Sequence, residues 1–297
     1  MPLRSDIRLC NGQRLSFLQW GQSGEAGSRP LLMLHGRYSS AAEMAAMAAA
    51  LAADAGDQRW VVAVDLRGCG FSDWAGDGDY SVEAAVDDLV QLLDAMAWPQ
   101  VDIYGHSYGA VVGIALAAAL DAAGPGRVRA LVLEDGGPTL RADGSEPQLN
   151  PGQTSRAGAP AAAPAQLQFD SWEQAAAAGG SHGGSTAVPP WLLEARVVRR
   201  SDGKVRSRMD LLGLWRSRRG EAFERPWPLV RALRMPVLLL RADRGLVPED
   251  IARDMVSVNP RIRYQTIDNS GHGIHRQHPE QVLQRTRAFL QQATAHR

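Results

Sequence analysis

Short, mostly apolar runs alternate along this chain with longer stretches in which apolar residues return every three or four positions. Leu31-Leu32-Met33-Leu34, Trp60–Val64, Val101–Tyr104 and Val128–Leu133 are such runs, each ending at Gly, Asp or another polar residue. They predict strands buried on both faces. Ile7–Leu9 and Leu15–Trp20 predict two opening strands joined by the turn at Asn11-Gly12. Ala41 to Ala53 is helical by composition. Ser81 can N-cap a helix running to about Met96, with Val82, Val86, Leu89, Val90 and Leu93 on one face. Ala110 to Leu120 is an Ala-rich apolar run long enough for a buried helix. After Pro236 the alternation resumes, with a strand at Val237–Leu240, a helix at Pro248–Val256, a strand at Ile262–Ile267 and a helix at Pro279–Leu290. Strands and helices taken in turn predict an α/β fold, a mostly parallel sheet flanked by helices.

The middle of the chain breaks this rhythm. Residues from about 141 to 187 are rich in Ala, Gly, Pro, Ser and Gln, with few large apolar anchors, and are expected to bury little surface. Residues 188–230 carry Trp191, Trp215 and Trp227 among many arginines. The expected organisation is a core of residues 1–138 and 232–297, interrupted by an inserted helical cap at 139–231. The three tryptophans are expected to form the cap's own small core or to line a pocket.

Composition narrows the functional classes. The chain has 297 residues, Lys plus Arg total 32 and Asp plus Glu total 32, so no global field attracts nucleic acid or an anionic membrane. Apolar residues at 45% suffice for a sizeable core. Cys10 and Cys69 are the two cysteines, which argues against a disulfide framework and for a reducing compartment. MPLRSDIRLC has no apolar signal core, and no apolar run approaches the roughly 18 residues of a membrane span. A cytoplasmic protein without nucleic-acid or membrane partners is the expectation, with its oligomeric state left open.

The chemistry concentrates at Gly105-His106-Ser107-Tyr108-Gly109. G-x-S-x-G between a strand and a helix is the pattern of a nucleophile elbow. A Ser hydroxyl is a weak nucleophile until a base takes its proton, and that base needs a carboxylate to fix its tautomer. His272, in Ser270-Gly271-His272-Gly273 after the last strand, is the candidate base.

Together with Leu34-His35-Gly36-Arg37, with Asp65-Leu66-Arg67-Gly68-Cys69-Gly70-Phe71-Ser72, and with Ser270-Gly271-His272, the elbow resembles the α/β-hydrolase family. The pieces stand in the family's order and cover nearly the whole chain outside the middle insertion. The resemblance implies an eight-stranded, mostly parallel sheet and a Ser…acid…His triad that needs no cofactor or metal. It also implies an oxyanion hole from the backbone N–H groups of Tyr108 and Arg37, and a structural role for Asp65, Arg67 and the glycines beside them.

The acid is the difficult assignment. Most relatives carry it after the seventh strand. Aligned on Pro236, that position falls on Gly245, and Asp243 comes two residues early. Some relatives carry it after the sixth strand, where this chain reads Leu133-Glu134-Asp135-Gly136. Asp135 is the preferred acid, with Asp243 and then Glu134 as alternatives.

Bland roles are expected for the other histidines. His35 and His106 read as hydrogen-bonded packing residues, His275 and His278 as surface or packing residues, and His182 as solvated. The Arg37 side chain is expected to point to solvent. The nine basic residues between Arg196 and Arg219 read as a solvated helix face. The expected function is hydrolysis of a small-molecule ester or lactone through an acyl-enzyme on Ser107. A carbon–carbon bond hydrolase of the same fold and a non-catalytic ligand receptor are the alternatives.

Overall fold

The computed structural model describes residues 3–21, 29–53, 59–149, 168–177, 190–216 and 226–295. Its centre is an eight-stranded sheet. In chain order the strands are β1 (Leu3–Arg8), β2 (Arg14–Trp20), β3 (Arg29–Leu34), β4 (Arg59–Val64), β5 (Val101–His106), β6 (Val128–Glu134), β10 (Val237–Ala242) and β11 (Ile262–Ile267). They lie side by side as β1-β2-β4-β3-β5-β6-β10-β11. β2 runs antiparallel to β1 and β4, and the strands from β4 to β11 pair in parallel.

The apolar runs explain why this sheet is covered twice. Successive side chains of a strand point to opposite faces. Leu32, Leu34, Ile103, Leu131, Leu133 and Leu239 join one buried cluster, together with α2 (Val82–Ala95), α3 (Tyr108–Ala123) and α8 (Glu249–Val258). Leu31, Met33, Tyr104, Val132, Leu238 and Leu240 join the other, together with α1 (Ala45–Ala52) and α10 (Pro279–Ala295). A strand buried on both faces cannot alternate with polar residues, hence the continuous runs. Ser81 caps α2 as expected, its Oγ accepting the Ala84 N–H at 3.1 Å.

Two buried ion pairs brace this core. Asp88 on α2 accepts two bonds from the Arg67 guanidinium, each 2.7 Å. Arg59 Nη1 donates to Asp102 Oδ2 at 2.6 Å across the strands. The Asp65 carboxylate accepts from the Ala41 N–H at 2.7 Å and the Phe71 N–H at 3.0 Å. It thereby ties the turn after β4 to the start of the 3-10 turn Ala41–Met44.

Between β6 and β10 the described residues form α4 (Trp172–Ala177), α5 (Pro190–Arg196), α6 (Leu211–Arg216) and α7 (Trp227–Ala232). They also form a small sheet of β7 (Gln168–Phe169), β8 (Val197–Arg199) and β9 (Val205–Ser207), paired β7-β9-β8. This sheet departs from the expected all-helical insertion. Strands of two or three residues are too short to show a period. The basic run is accordingly not one helix face. Arg199 lies over Trp172, Arg206 over Trp74 and Arg208 over Phe71, at 5.2, 5.5 and 4.1 Å from the ring centroids. Trp227 also differs from expectation. It is buried in the main core rather than in a separate one, and its Nε1 donates to the Leu140 carbonyl at 3.0 Å. Much of the Ala/Gly/Pro-rich stretch 141–187 lies outside the described residues, as does His182.

Candidate active site

Ser107 sits in the one-residue turn between β5 and α3, with φ 55° and ψ −114°. A non-glycine residue at positive φ costs about 1–3 kcal/mol and persists only where its surroundings enforce it. The flanking glycines make the turn possible. A Cβ on Gly105 would lie 2.3 Å from the Gly109 carbonyl oxygen, and one on Gly109 would lie 2.3 Å from the Leu34 carbonyl oxygen. The Ser107 N–H donates to the Glu134 carbonyl at 2.8 Å, fixing the elbow against the end of β6.

His272 arrives from the loop after β11. Its Nε2 lies 2.9 Å from Ser107 Oγ, and its Nδ1 lies 2.8 Å from Asp135 Oδ2. Serine, histidine and carboxylate thus form one hydrogen-bonded chain. Asp135, at φ 41°, follows β6 and is fully buried. Its carboxylate also accepts the Ala242 N–H at 3.2 Å and the Leu246 N–H at 2.8 Å. The His272 side chain is about one-third exposed, at 34%, so the chain opens to the outside at the histidine.

Asp243 does not reach the imidazole. It accepts the backbone N–H groups of Asn269 at 3.0 Å and Ser270 at 2.7 Å, so it shapes the loop that delivers His272. Burial opposes charge on Asp243, but these two amides hold its carboxyl below the usual range.

The oxyanion candidates flank the serine. Tyr108 is the first residue of α3, and first-turn amides point toward a helix's N-terminal, positive end. Gly36, just before Arg37, backs onto the elbow so closely that a Cβ there would lie 3.3 Å from the Ser107 β-carbon. The Arg37 side chain corrects the expectation of a solvent-facing group. It is half-buried, its guanidinium carbon lies 4.0 Å from the Tyr108 ring centroid, and its Nη1 donates to the Leu214 carbonyl at 2.6 Å. A guanidinium is flat and weakly hydrated enough to stack on an aromatic face.

His275 also departs from a bland reading. It is buried, and both its Nδ1, at 2.7 Å, and its backbone N–H, at 2.9 Å, bond Glu134 Oε1. Tyr104 donates its hydroxyl to the other Glu134 oxygen at 2.6 Å. His106 lies between the two histidines of the loop, 4.7 Å from the His272 ring and 4.8 Å from the His275 ring by centroids. Burial would raise the Glu134 carboxyl, but His275, His106 and the hydrogen bonds hold it well below the usual range. Burial likewise disfavours charge on His275, yet Glu134 outweighs it and raises the imidazole pKa. His106, desolvated and only partly compensated by Glu134, is pushed down to about 4, with His275 and His272 adding to the effect.

His106, Glu134 and His275 offer ligand atoms within 4.8 Å of one another. Both Glu134 oxygens already accept hydrogen bonds, so the arrangement is an ion pair with its donors rather than a set of lone pairs awaiting a cation. His35 is buried, its Nε2 accepting the Leu66 N–H at 3.1 Å, and His278 lies near the Asn269 carbonyl. Cys10 and Cys69 are both free thiols. Among the described residues no helix is long and apolar enough to cross a membrane.

The signal for the Glu134–His275 pair was present in the sequence. Two adjacent carboxylates closing an apolar strand each need a partner, because a buried unpaired charge is too costly. His272 and His275 could supply one each.

A doubly covered parallel sheet with a serine elbow at its centre defines a class of α/β enzyme folds. Residues 29–279 match the family described as alpha/beta hydrolase fold, and the chain belongs to that family. It is 34% identical over 128 residues to the 3-hydroxybutyrate-oligomer hydrolase of Cupriavidus necator (strain ATCC 17699 / DSM 428 / KCTC 22496 / NCIMB 10442 / H16 / Stanier 337), covering 43% of this chain and 40% of that protein. It is 38% identical over 104 residues to the 2-hydroxymuconate semialdehyde hydrolase of Pseudomonas sp. (strain CF600), covering 35% of each. These matches therefore span well under half of either relative. Among solved structures, E-2-(acetamidomethylene)succinate hydrolase superposes with a TM-score of 0.75 at 21% identity, over 98% of this chain and 100% of that one. A thioesterase domain from the curacin biosynthetic pathway superposes at 0.70 and 18% identity, over 96% and 98%. At such identities the likeness is one of fold.

Proposed function

We propose that this chain is a serine hydrolase that cleaves a carboxylic ester or lactone through an acyl-enzyme on Ser107. The observation that carries the reading is the hydrogen-bonded chain from Ser107 Oγ through His272 to Asp135, with spacings of 2.9 and 2.8 Å. His272 Nε2 takes the Ser107 proton as Oγ attacks the carbonyl carbon. Asp135 holds the other nitrogen protonated and stabilises the imidazolium. The Tyr108 and Arg37 amides stabilise the oxyanion. His272 then protonates the leaving alkoxide, and water, deprotonated by the same imidazole, releases the acid. Residues 139–231 act as a cap over the core formed by 1–138 and 232–297. The ties from Trp74 to the Arg208 carbonyl and from Tyr80 to Asp210 support that assignment.

The hydrogen-bonded chain through His272 to Asp135 favours catalysis over a non-catalytic receptor. A carbon–carbon bond hydrolase remains the second reading, favoured by the stretch shared with 2-hydroxymuconate semialdehyde hydrolase. Labelling by a fluorophosphonate probe, with Ser107→Ala as control, tests the nucleophile. Turnover of short p-nitrophenyl esters against a β-diketone separates the two chemistries. Loss of both labelling and ester turnover in Ser107→Ala is expected, and labelling that persists in the variant would overturn the reading.

A further inference from the structure

Behind the His272–Asp135 contact lies a second histidine–carboxylate couple, built from the neighbouring residues of the same two segments. Glu134 precedes Asp135, and His275 follows His272 at the start of α9 (Ile274–Gln277). Glu134 ends β6 and the left-handed Asp135 turns the chain out of the strand, and the two neighbouring carboxylates take different partners: Asp135 meets His272 and Glu134 meets His275. We propose that Glu134, acting through His275, is a positioning residue for the hydrolytic step, holding the loop that carries His272 at the distance Ser107 requires. This rests on the serine-hydrolase reading above.

Three observations carry the role. First, His272 is delivered by a loop rather than by a helix or strand, so its ring must be placed by contacts made from outside. Second, Glu134 grips the next turn at two points, the His275 backbone N–H and the His275 ring, and is itself fixed by the Tyr104 hydroxyl. Glu134 is fully buried and the His275 side chain is 4% exposed, so the pair is shielded from solvent. Third, His106 fills the space between the two loop histidines, and its Nε2 lies 3.2 Å from the His272 carbonyl oxygen. A carbonyl only accepts, so the proton sits on that nitrogen and His106 holds the His272 backbone while Glu134 holds the next turn. The other charged groups facing His275 are Glu43 from the 3-10 turn and Arg276 on its own helix. The side of His275 turned toward the sheet is thus met by Glu134.

Small displacements matter here. A misplacement of about 1 Å at a reacting group can cost on the order of 10²-fold in rate. A residue that acts only by holding geometry should lower kcat without weakening substrate binding.

The test compares Glu134→Ala, Glu134→Gln and His275→Ala with wild type on a short p-nitrophenyl ester. Active sites are first counted by fluorophosphonate titration, so that misfolded protein does not enter the rate. Glu134→Ala is expected to lower kcat per titrated site about 10- to 100-fold, with KM within about threefold. Glu134→Gln keeps an oxygen that accepts both His275 bonds and should recover at least half of that loss on a logarithmic scale. The low-field NMR signal of the His272 Nδ1 proton should shift or broaden in Glu134→Ala and return in Glu134→Gln. If Glu134→Ala does not fold, His275→Ala reads the same quantity. Wild-type kcat per site in Glu134→Ala and His275→Ala, or an unchanged His272 signal, would overturn the positioning role alone. Labelling that survives Ser107→Ala would overturn the serine-hydrolase reading beneath it.

Discussion

Gly245 stands against the Asp135 carboxylate: a Cβ there would lie 2.2 Å from Oδ2 and 2.5 Å from Oδ1. Gly245 is also the position on which, aligned on Pro236, the sequence resemblance places the family's usual acid. The two facts are one. With the carboxylate supplied from β6, the loop after β10 must leave room for it, and a residue without a side chain does so.

Gly245→Ala is therefore expected to be severe for a one-carbon change. The added methyl must displace either the carboxylate or the loop whose Leu246 N–H bonds it. Overpacking of this kind typically costs about 1–3 kcal/mol. Urea unfolding and kcat should both fall, with kcat down by about 100-fold on the scale of a misplaced reacting group. Wild-type values for both would show that the loop relaxes without disturbing Asp135.

Asp135→Asn and Asp243→Asn should separate sharply. Neutralising the carboxylate on His272 should lower kcat by about 10³–10⁴. Asp243 holds the amides of Asn269 and Ser270 and lies 3.8 Å from Arg244 Nε, away from the imidazole, and its neutralisation should cost about tenfold or less. Steady-state kinetics on one ester decides, and the reverse order would transfer the acid's role to Asp243.

The buried pair Arg67–Asp88 should be costly to break from one side. Asp88→Ala leaves a guanidinium whose side chain is only 7% exposed without its carboxylate, and such losses run to about 3–5 kcal/mol. Chemical denaturation should show this, with ester turnover per titrated site little changed. A loss below about 1 kcal/mol would mean that Arg67 finds a replacement partner.

The His106–Glu134–His275 cluster should leave its mark on stability against pH. His106 is held at about 4, below a free imidazole near 6.5, so its contribution is present above about 6.5 and is lost as pH falls toward 4. Glu134 is held below its free value near 4.3, so its contribution is present above that pH and is lost as pH falls further. His275 is raised, so its contribution is complete below about 6.5 and is lost as pH rises through its folded value. Together these place the cluster's greatest support near pH 6.5. Urea midpoints from pH 4 to 9 should decline on both sides, and His275→Gln should flatten the alkaline decline. An alkaline decline of equal size in that variant would assign it to other groups.

The sheet was legible in the sequence because each central strand is buried on both faces, which writes an apolar run. β11, at Ile262–Ile267, falls on its expected bounds. The β7–β9 sheet was not legible, because a strand of two or three residues carries no pattern. Ser107 and His272 stood out by motif, since an elbow and a glycine-flanked histidine are local features. Asp135 needed more than local reading. Its partners Ala242, Leu246 and His272 lie more than a hundred residues away, and only the fold brings them together. The place of Arg37 is hidden for a similar reason: charge alone points to solvent, but the Tyr108 ring and the Leu214 carbonyl receive the guanidinium.

The chain leaves Asp135 directly for the segment that spans the gap between β6 and β10, and it returns on the strand whose Ala242 N–H bonds that same carboxylate. Both doorposts of the interruption are thus fastened to one buried oxygen pair. Anyone exchanging the intervening segment for another must splice inside those posts: Gly136 has to stay, since a Cβ there would lie 2.2 Å from the Ser107 carbonyl oxygen, and so do Trp227, Val230, Leu233 and Met235, which pack in the main core.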